Sequence, residues 1–175
     1  FMLIVITGLM ASGKSTVAEL LAKEFPKSVH LRGDVFRRMI VSGREEMSDA
    51  PSDEALSQLE LRYRLTAQAA KEYHKSSFTV IVQDNYYGEM LPRFLEMLRS
   101  EPVQTIVLCP DAEIIRQRED ARPKTGYTGF RVEALHRDFM ATTPRICPWI
   151  HTSRQTPEAT RAAILRGAER TWITP

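Results

Sequence analysis

Leu3-Ile4-Val5-Ile6-Thr7-Gly8-Leu9-Met10-Ala11-Ser12-Gly13-Lys14-Ser15-Thr16 is the stretch that organises the rest of the chain. A short β-rich apolar run ends at Gly8. Gly13, Lys14 and Ser15 then complete the spacing G-x-x-x-x-G-K-[ST] of a phosphate-binding P-loop. Gly8 and Gly13 allow a tight turn and a close approach of backbone to phosphate. The N–H groups from Leu9 to Lys14 then converge as an anion nest, and a helix starting near Lys14 adds its positive N-terminal end. Lys14 is placed to reach the β- and γ-phosphates of a nucleotide, and the Ser15 hydroxyl to hold Mg²⁺. The flanks suit the motif: Leu3 to Ile6 read as a buried parallel strand, and Val17, Leu20, Leu21 and Phe25 recur at helical spacing before Pro26. The expected nucleotide cradle therefore runs from Gly8 through Thr16.

Composition bounds the rest. A chain of 175 residues suits one domain, 1–175, with a sizeable core. Lys and Arg number 24 against 22 Asp and Glu, a net charge of +2. That balance argues against a nucleic-acid partner, although a local basic patch can still bind phosphates. Two distant cysteines, Cys109 and Cys147, make neither a disulfide framework nor a metal cluster, and a reduced cytoplasmic compartment is expected. No apolar run reaches the ~18 residues of a membrane span, so no membrane partner is expected. The first apolar run is too short for a signal peptide and ends in the P-loop.

Strands and helices alternate after the P-loop. Ser28 to Leu31 read as a strand ending in Arg32-Gly33-Asp34, and Asp34 opens a helical run to Ile40, where an Asp is a natural N-cap. Asp34 also falls at the carboxyl end of a strand, where open parallel sheets bind ligands. A carboxylate there can accept the proton of an attacking hydroxyl, which makes Asp34 the candidate base. A polar connection over 42–52 follows. Ser52 then caps a long helix with Leu56, Leu59, Tyr63, Ala67, Ala70 and Tyr73 on its apolar stripe. The strand Phe78 to Val82 runs into Gln83-Asp84-Asn85-Tyr86-Tyr87-Gly88. Asp84 reads either as a Mg²⁺ ligand, direct or through water, or as a turn residue. Tyr86 and Tyr87 are expected at the same rim, with Tyr86 the candidate substrate contact.

A helix over about Glu89 to Arg99 and a buried strand over Val103 to Leu108 come next. Asp111 caps a helix carrying Arg116, Arg118 and Arg122, which Pro123 ends. Between Arg122 and Arg131, cations alternate with Gly126 and Gly129, the makeup of a loop that closes over phosphate, so a lid is expected at about 122–131. Residues 132–142 read as a helix and 148–152 as a short last strand. Thr156 and Pro157 open a final helix through Ala162, Leu165 and Trp172. His30, His74, His136 and His151 show no metal-ligand spacing. Five strands alternating with helices imply a parallel sheet covered on both faces, an α/β three-layer sandwich.

Assembled, these motifs resemble the small P-loop kinases: shikimate, gluconate and adenylylsulfate kinases and the chloramphenicol phosphotransferase-like group. The resemblance rests on Gly8 to Ser15, on Asp34, on Arg116 and Arg122-Pro123, and on the closing Ile150-His151-Thr152-Ser153-Arg154-Gln155-Thr156-Pro157-Glu158. It implies the strand order 2-3-1-4-5. It also implies Arg116 against adenine with Pro157 on the other face, Arg122 as the lid arginine on the transferred phosphate, and Arg37 or Arg38 gripping the substrate. Val82-Gln83-Asp84-Asn85 departs from the Gly-rich turn of shikimate kinases and looks closer to the chloramphenicol phosphotransferase-like group and to polynucleotide 5′-kinases.

The expected activity is ATP-dependent phosphorylation of a hydroxyl on a small molecule. Lys14, Mg²⁺ and Arg122 stabilise the passing phosphoryl group. Two alternatives stand beside it: a nucleotide or polynucleotide 5′-hydroxyl kinase, and a P-loop ATPase or switch module without kinase activity.

Overall fold

The computed structural model describes residues 2–121 and 131–168. Arg122, most of the expected lid, and Trp172 lie outside the described residues. The elements run β1 (Leu3–Thr7), α1 (Lys14–Ala22), β2 (Ser28–Arg32), α2 (Asp34–Arg38), α3 (Asp53–Lys75), β3 (Thr79–Gln83), α4 (Met90–Met97), β4 (Val103–Leu108), α5 (Ala112–Asp120), α6 (Val132–Thr142), β5 (Trp149–Ile150) and α7 (Pro157–Ala168).

The five strands form one parallel sheet in the order β2-β3-β1-β4-β5. Alternation along each strand divides the core. Leu3, Val5, Val80 and Val82 face a cluster built with Tyr63, Phe94, Ile115 and Phe139 from α3, α4, α5 and α6. Ile4, Ile6, Ile81 and Ile106 face the other way, onto Val17, Ala18 and Leu21 of α1 and Ile164 of α7. A sheet buried on both faces favours apolar residues on both, which is why Leu3 to Ile6 of β1 read as an unbroken apolar run.

From β1 the sheet extends through β3 to β2 on one side and through β4 to β5 on the other. The connections therefore diverge at the carboxyl end of β1, the place where open α/β sheets form a binding crevice. Ser52 caps α3 as expected, its side chain accepting from the Ala55 N–H at 3.1 Å. The α3 stripe is narrower than the spacing suggests. Tyr63, Ala67 and Ala70 are buried, but Leu56 and Tyr73 are exposed near the helix ends. Among the described residues, no helix is long and apolar enough to cross a membrane.

Candidate active site

The P-loop leaves β1 at Gly8, whose φ of +149° only glycine adopts freely. A Cβ at Gly8 would also stand 2.5 Å from the Leu108 carbonyl oxygen and 2.9 Å from Ser12 Oγ. Ala11 and Gly13 are left-handed, at φ +55° and +92°, and the Ser12 N–H closes a turn on the Leu9 carbonyl at 3.2 Å. Gly13 precedes α1 and no side chain caps it, so the first-turn N–H groups of α1 face the loop. Lys14 is buried, its Nζ donating to the Leu9 carbonyl at 2.6 Å and to Ser12 Oγ at 3.3 Å. The lysine thus curls over the loop whose phosphate it is expected to meet.

Two cavities flank this loop and share Ala11, Ser12's neighbour Gly13, and Thr16. One, about 390 Å³, lies toward α5 and α7 and is walled by Arg118, Thr152 and Pro157. It has the size and the partly apolar wall that a nucleoside needs. The other, about 300 Å³, lies toward α2 and α3 and joins Lys14 and Ser15 to Asp34, Arg37, Arg38, Arg62 and Asp84. Asp34, distant in the sequence from Lys14 and Ser15, therefore faces one space with them.

Asp34 is the first residue of α2 rather than its N-cap; Gly33 holds the cap position. The Asp34 carboxylate instead accepts from Arg37 Nε at 3.2 Å and Arg38 Nε at 2.6 Å, with Arg62 Nη1 3.7 Å away. Burial pushes its pKa up, but the charge of Arg62 and the hydrogen bond and charges of Arg37 and Arg38 outweigh it and hold the carboxyl below its ordinary value. Asp34 is therefore ionised at neutral pH, suited to orienting a hydroxyl and receiving its proton late.

Asp84 is buried and bidentate to Arg62: Nε donates to Oδ2 at 2.7 Å and Nη2 to Oδ1, which also accepts from the Asn85 N–H at 2.8 Å. Burial opposes the charge on Arg62, yet Asp84 and Asp34 together raise its pKa, so the guanidinium stays charged. Gly33 makes room for it, because a Cβ there would collide with Asp84 Oδ2 and crowd Thr66 Oγ1 at 3.2 Å. These contacts decide how the donors suit Mg²⁺. Ser15 offers a hydroxyl beside the loop, and an Asp84 committed to Arg62 suits only an outer position reached through water, as Mg²⁺ commonly keeps several waters. Among the described residues, no cluster of three or more His, Cys, Asp or Glu forms a metal cage.

Two expected positions are corrected. Tyr86 does not reach the rim: it is fully buried, its ring stacked on Phe94 with centroids 3.8 Å apart. Its backbone is pinned to the end of β1, the N–H donating to Thr7 Oγ1 at 2.9 Å and the carbonyl accepting from that hydroxyl at 2.5 Å. Arg116 does not line the α5–α7 cavity. It is exposed and pairs with Glu133 of α6 at 3.1 Å. Arg118 takes the inner position, donating from Nη1 to the Ala11 carbonyl at 3.1 Å. The two lie about 200° apart on a helix, so only one can face the P-loop. The buried Ile115 marks the inner face, and Arg118 is its i+3 neighbour. Arg62 was the other residue missed, although an arginine set among Leu59, Tyr63 and Thr66 on the inward stripe of α3 is a visible signal.

The AAA domain family matches residues 3–143. Solved structures share the fold at low identity. A sugar kinase from a Janibacter species superposes with a TM-score of 0.71 at 19% identity, over 96% of this chain and 94% of that one. The Mycobacterium tuberculosis APS kinase, solved with AMPPNP and APS, gives 0.69 at 13%, over 96% and 98%. A chain of the Pnkp1/Rnl/Hen1 RNA repair complex gives 0.62 at 19%, over 80% of this chain and 43% of that one. No curated protein sequence matches the chain.

Proposed function

This chain belongs to the AAA domain family, and from that premise we propose that it is an ATP-dependent phosphotransferase acting on the hydroxyl of a small molecule. The observation that carries the reading is that Lys14 and Ser15 of the P-loop share one cavity with the carboxylate of Asp34. This cavity pairs a phosphate cradle with an ionised carboxylate beside a space large enough for a second substrate, so Asp34 has room to orient an acceptor hydroxyl. The similar structures named as sugar and APS kinases agree with this reading.

In this mechanism the α5–α7 cavity takes the nucleoside, with Pro157 and Arg118 as its walls. The P-loop N–H groups and Lys14 hold the β- and γ-phosphates. Asp34 orients the acceptor hydroxyl and receives its proton as the oxygen bonds to the γ-phosphorus and the bond to the β-phosphate oxygen breaks. Arg37 and Arg38 fix the carboxylate between them. Ser15 would hold Mg²⁺, which neutralises charge on the β- and γ-phosphates when bound. Arg122 is proposed as the lid arginine on the transferred group, in a cytoplasmic enzyme.

Incubation with ATP, Mg²⁺ and a panel of hydroxylated compounds tests the reading. Turnover is expected to be slow alone and strongly stimulated by the acceptor. Lys14→Ala is expected to lose it by ~10²–10³-fold or more with an unchanged circular dichroism spectrum. Wild-type turnover in folded Lys14→Ala would overturn the assignment. A 5′-hydroxyl oligonucleotide belongs in the panel, because four arginines line the acceptor side, Arg32 among them.

A further inference from the structure

We propose that Arg32 is a γ-phosphate contact: its free guanidinium, at the end of β2, binds the γ-phosphoryl group of ATP from the Asp34 side and holds it for transfer. This inference rests on the phosphotransferase reading above.

The Asp34 cavity carries more positive than negative charge, with five cations and three carboxylates in its lining. Its other arginines are already committed. Arg37 pairs with Asp34 and Glu46, and Arg38 with Asp34. Arg62 is bidentate to Asp84. Arg32 differs from all three. It is exposed, it lines the cavity, and among the described residues its side chain makes no ion pair or hydrogen bond. A planar fork of N–H donors that bonds to nothing in the protein suits an oxyanion that arrives with the substrate.

The strand geometry says which oxyanion. Successive side chains of a strand point to opposite faces of the sheet. Leu31 packs against the cluster that holds Tyr63 of α3, and His30 reaches Glu19 of α1 at 2.9 Å. Arg32, two residues after His30, therefore lies on the α1 face of β2. Ser15 and Thr16, in the first turn of α1, line the same cavity. That turn is where a P-loop presents its phosphates. Gln83, in register with Arg32 on β3, also lines the cavity and brings no charge. β2 lies two strand spacings from β1, about 10 Å, so Arg32 approaches the terminal phosphate from across the cavity, with the P-loop on the other side. In the transfer the acceptor O–H proton passes to Asp34, the acceptor oxygen bonds to the γ-phosphorus, the bond to the β-phosphate oxygen breaks, and ADP leaves. Arg32 exchanges no proton; its charge offsets that of the γ-phosphoryl oxygens.

The test titrates the full chain calorimetrically with ADP and with the non-hydrolysable AMPPNP, both with Mg²⁺. The two differ by the γ-phosphoryl group, so the ratio of their affinities isolates what Arg32 adds. Arg32→Gln is expected to weaken AMPPNP about tenfold, the scale of one hydrogen bond to a charged group, and to leave ADP close to wild type. Arg32→Lys, which keeps the charge and loses the fork, is expected to fall between. An exposed side chain without a partner leaves the fold little to lose, so both variants are expected to keep the wild-type circular dichroism spectrum. Unchanged AMPPNP affinity in Arg32→Gln overturns the inference, and so does an equal loss for ADP and AMPPNP. Parallel turnover of the wild type with ATP and the hydroxylated panel separates the two readings. An AMPPNP-selective loss in Arg32→Gln, with no compound phosphorylated by the wild type, supports Arg32 on the phosphate and overturns the kinase. Phosphorylation by the wild type, with AMPPNP affinity unchanged in Arg32→Gln, keeps the kinase and overturns the role of Arg32.

Discussion

Arg62 Nε donates to Asp84 Oδ2 at 2.7 Å where the two residues are only 8% and 4% exposed, beneath the space that holds Asp34. Removing one partner of such a pair leaves an uncompensated buried charge. Arg62→Met is expected to destabilise the protein by about 3–5 kcal/mol. Replacing both partners, as Arg62→Met with Asp84→Leu, should restore much of that loss, because the desolvation penalty disappears with the charges. Urea unfolding of both variants checks this; a double variant no more stable than the single one would contradict it.

Arg118 and Arg116 sit two residues apart with opposite placements. Arg118→Ala removes the donor to the Ala11 carbonyl and part of the α5–α7 cavity wall, so the KM for ATP should rise severalfold. Arg116→Ala removes an exposed pair with Glu133, worth ~0–1 kcal/mol of stability, and the KM for ATP should stay close to wild type because Arg116 does not line the α5–α7 cavity. Steady-state kinetics on both variants decides which arginine serves the nucleotide.

Asp34 carries a pH prediction whose sign follows from its lowered pKa. An unfolded Asp titrates near ~3.9, and the folded value lies lower. The stability contributed by the ionised form is therefore complete above the unfolded value and is lost as pH falls through the folded one. The same carboxylate should place no acid limb on kcat/KM between about pH 5 and 7, well above the ordinary Asp range. Asp34→Asn should lower kcat by ~10²–10⁴-fold, the usual scale of a lost general base, with little change in the KM for ATP. A limb near neutrality that Asp34→Asn abolishes would show a carboxylate raised rather than lowered.

Arg122 is a proposal from its place before Pro123 and two glycines. Arginines used as fingers on a transferred phosphoryl group contribute ~10³–10⁵ in kcat. Arg122→Ala is expected to lower kcat far more than it raises the KM for ATP. Lys should rescue only in part, lacking the planar fork that matches phosphate oxygens. Normal turnover by Arg122→Ala would leave the residue an ordinary surface cation.

The local layer of this protein was legible in its sequence. The P-loop, its flanking strand and helix, the α/β alternation and the Ser52 cap depend on contacts between near neighbours, and residue type and spacing carry those. The place of Asp34 at the sheet's rim was legible the same way, since it stands just past a strand end. The tertiary structure decided what each charge touches. Arg62 meets Asp84 across 22 positions, Tyr86 turns inward onto Phe94, and Arg118 rather than Arg116 reaches the P-loop. The physical reason is directional. Sequence spacing sets which helix face a residue shares, but the cavity that face meets depends on how α3, α5 and α6 pack over a sheet assembled from distant strands. The partner that neutralises a buried charge is chosen by that packing.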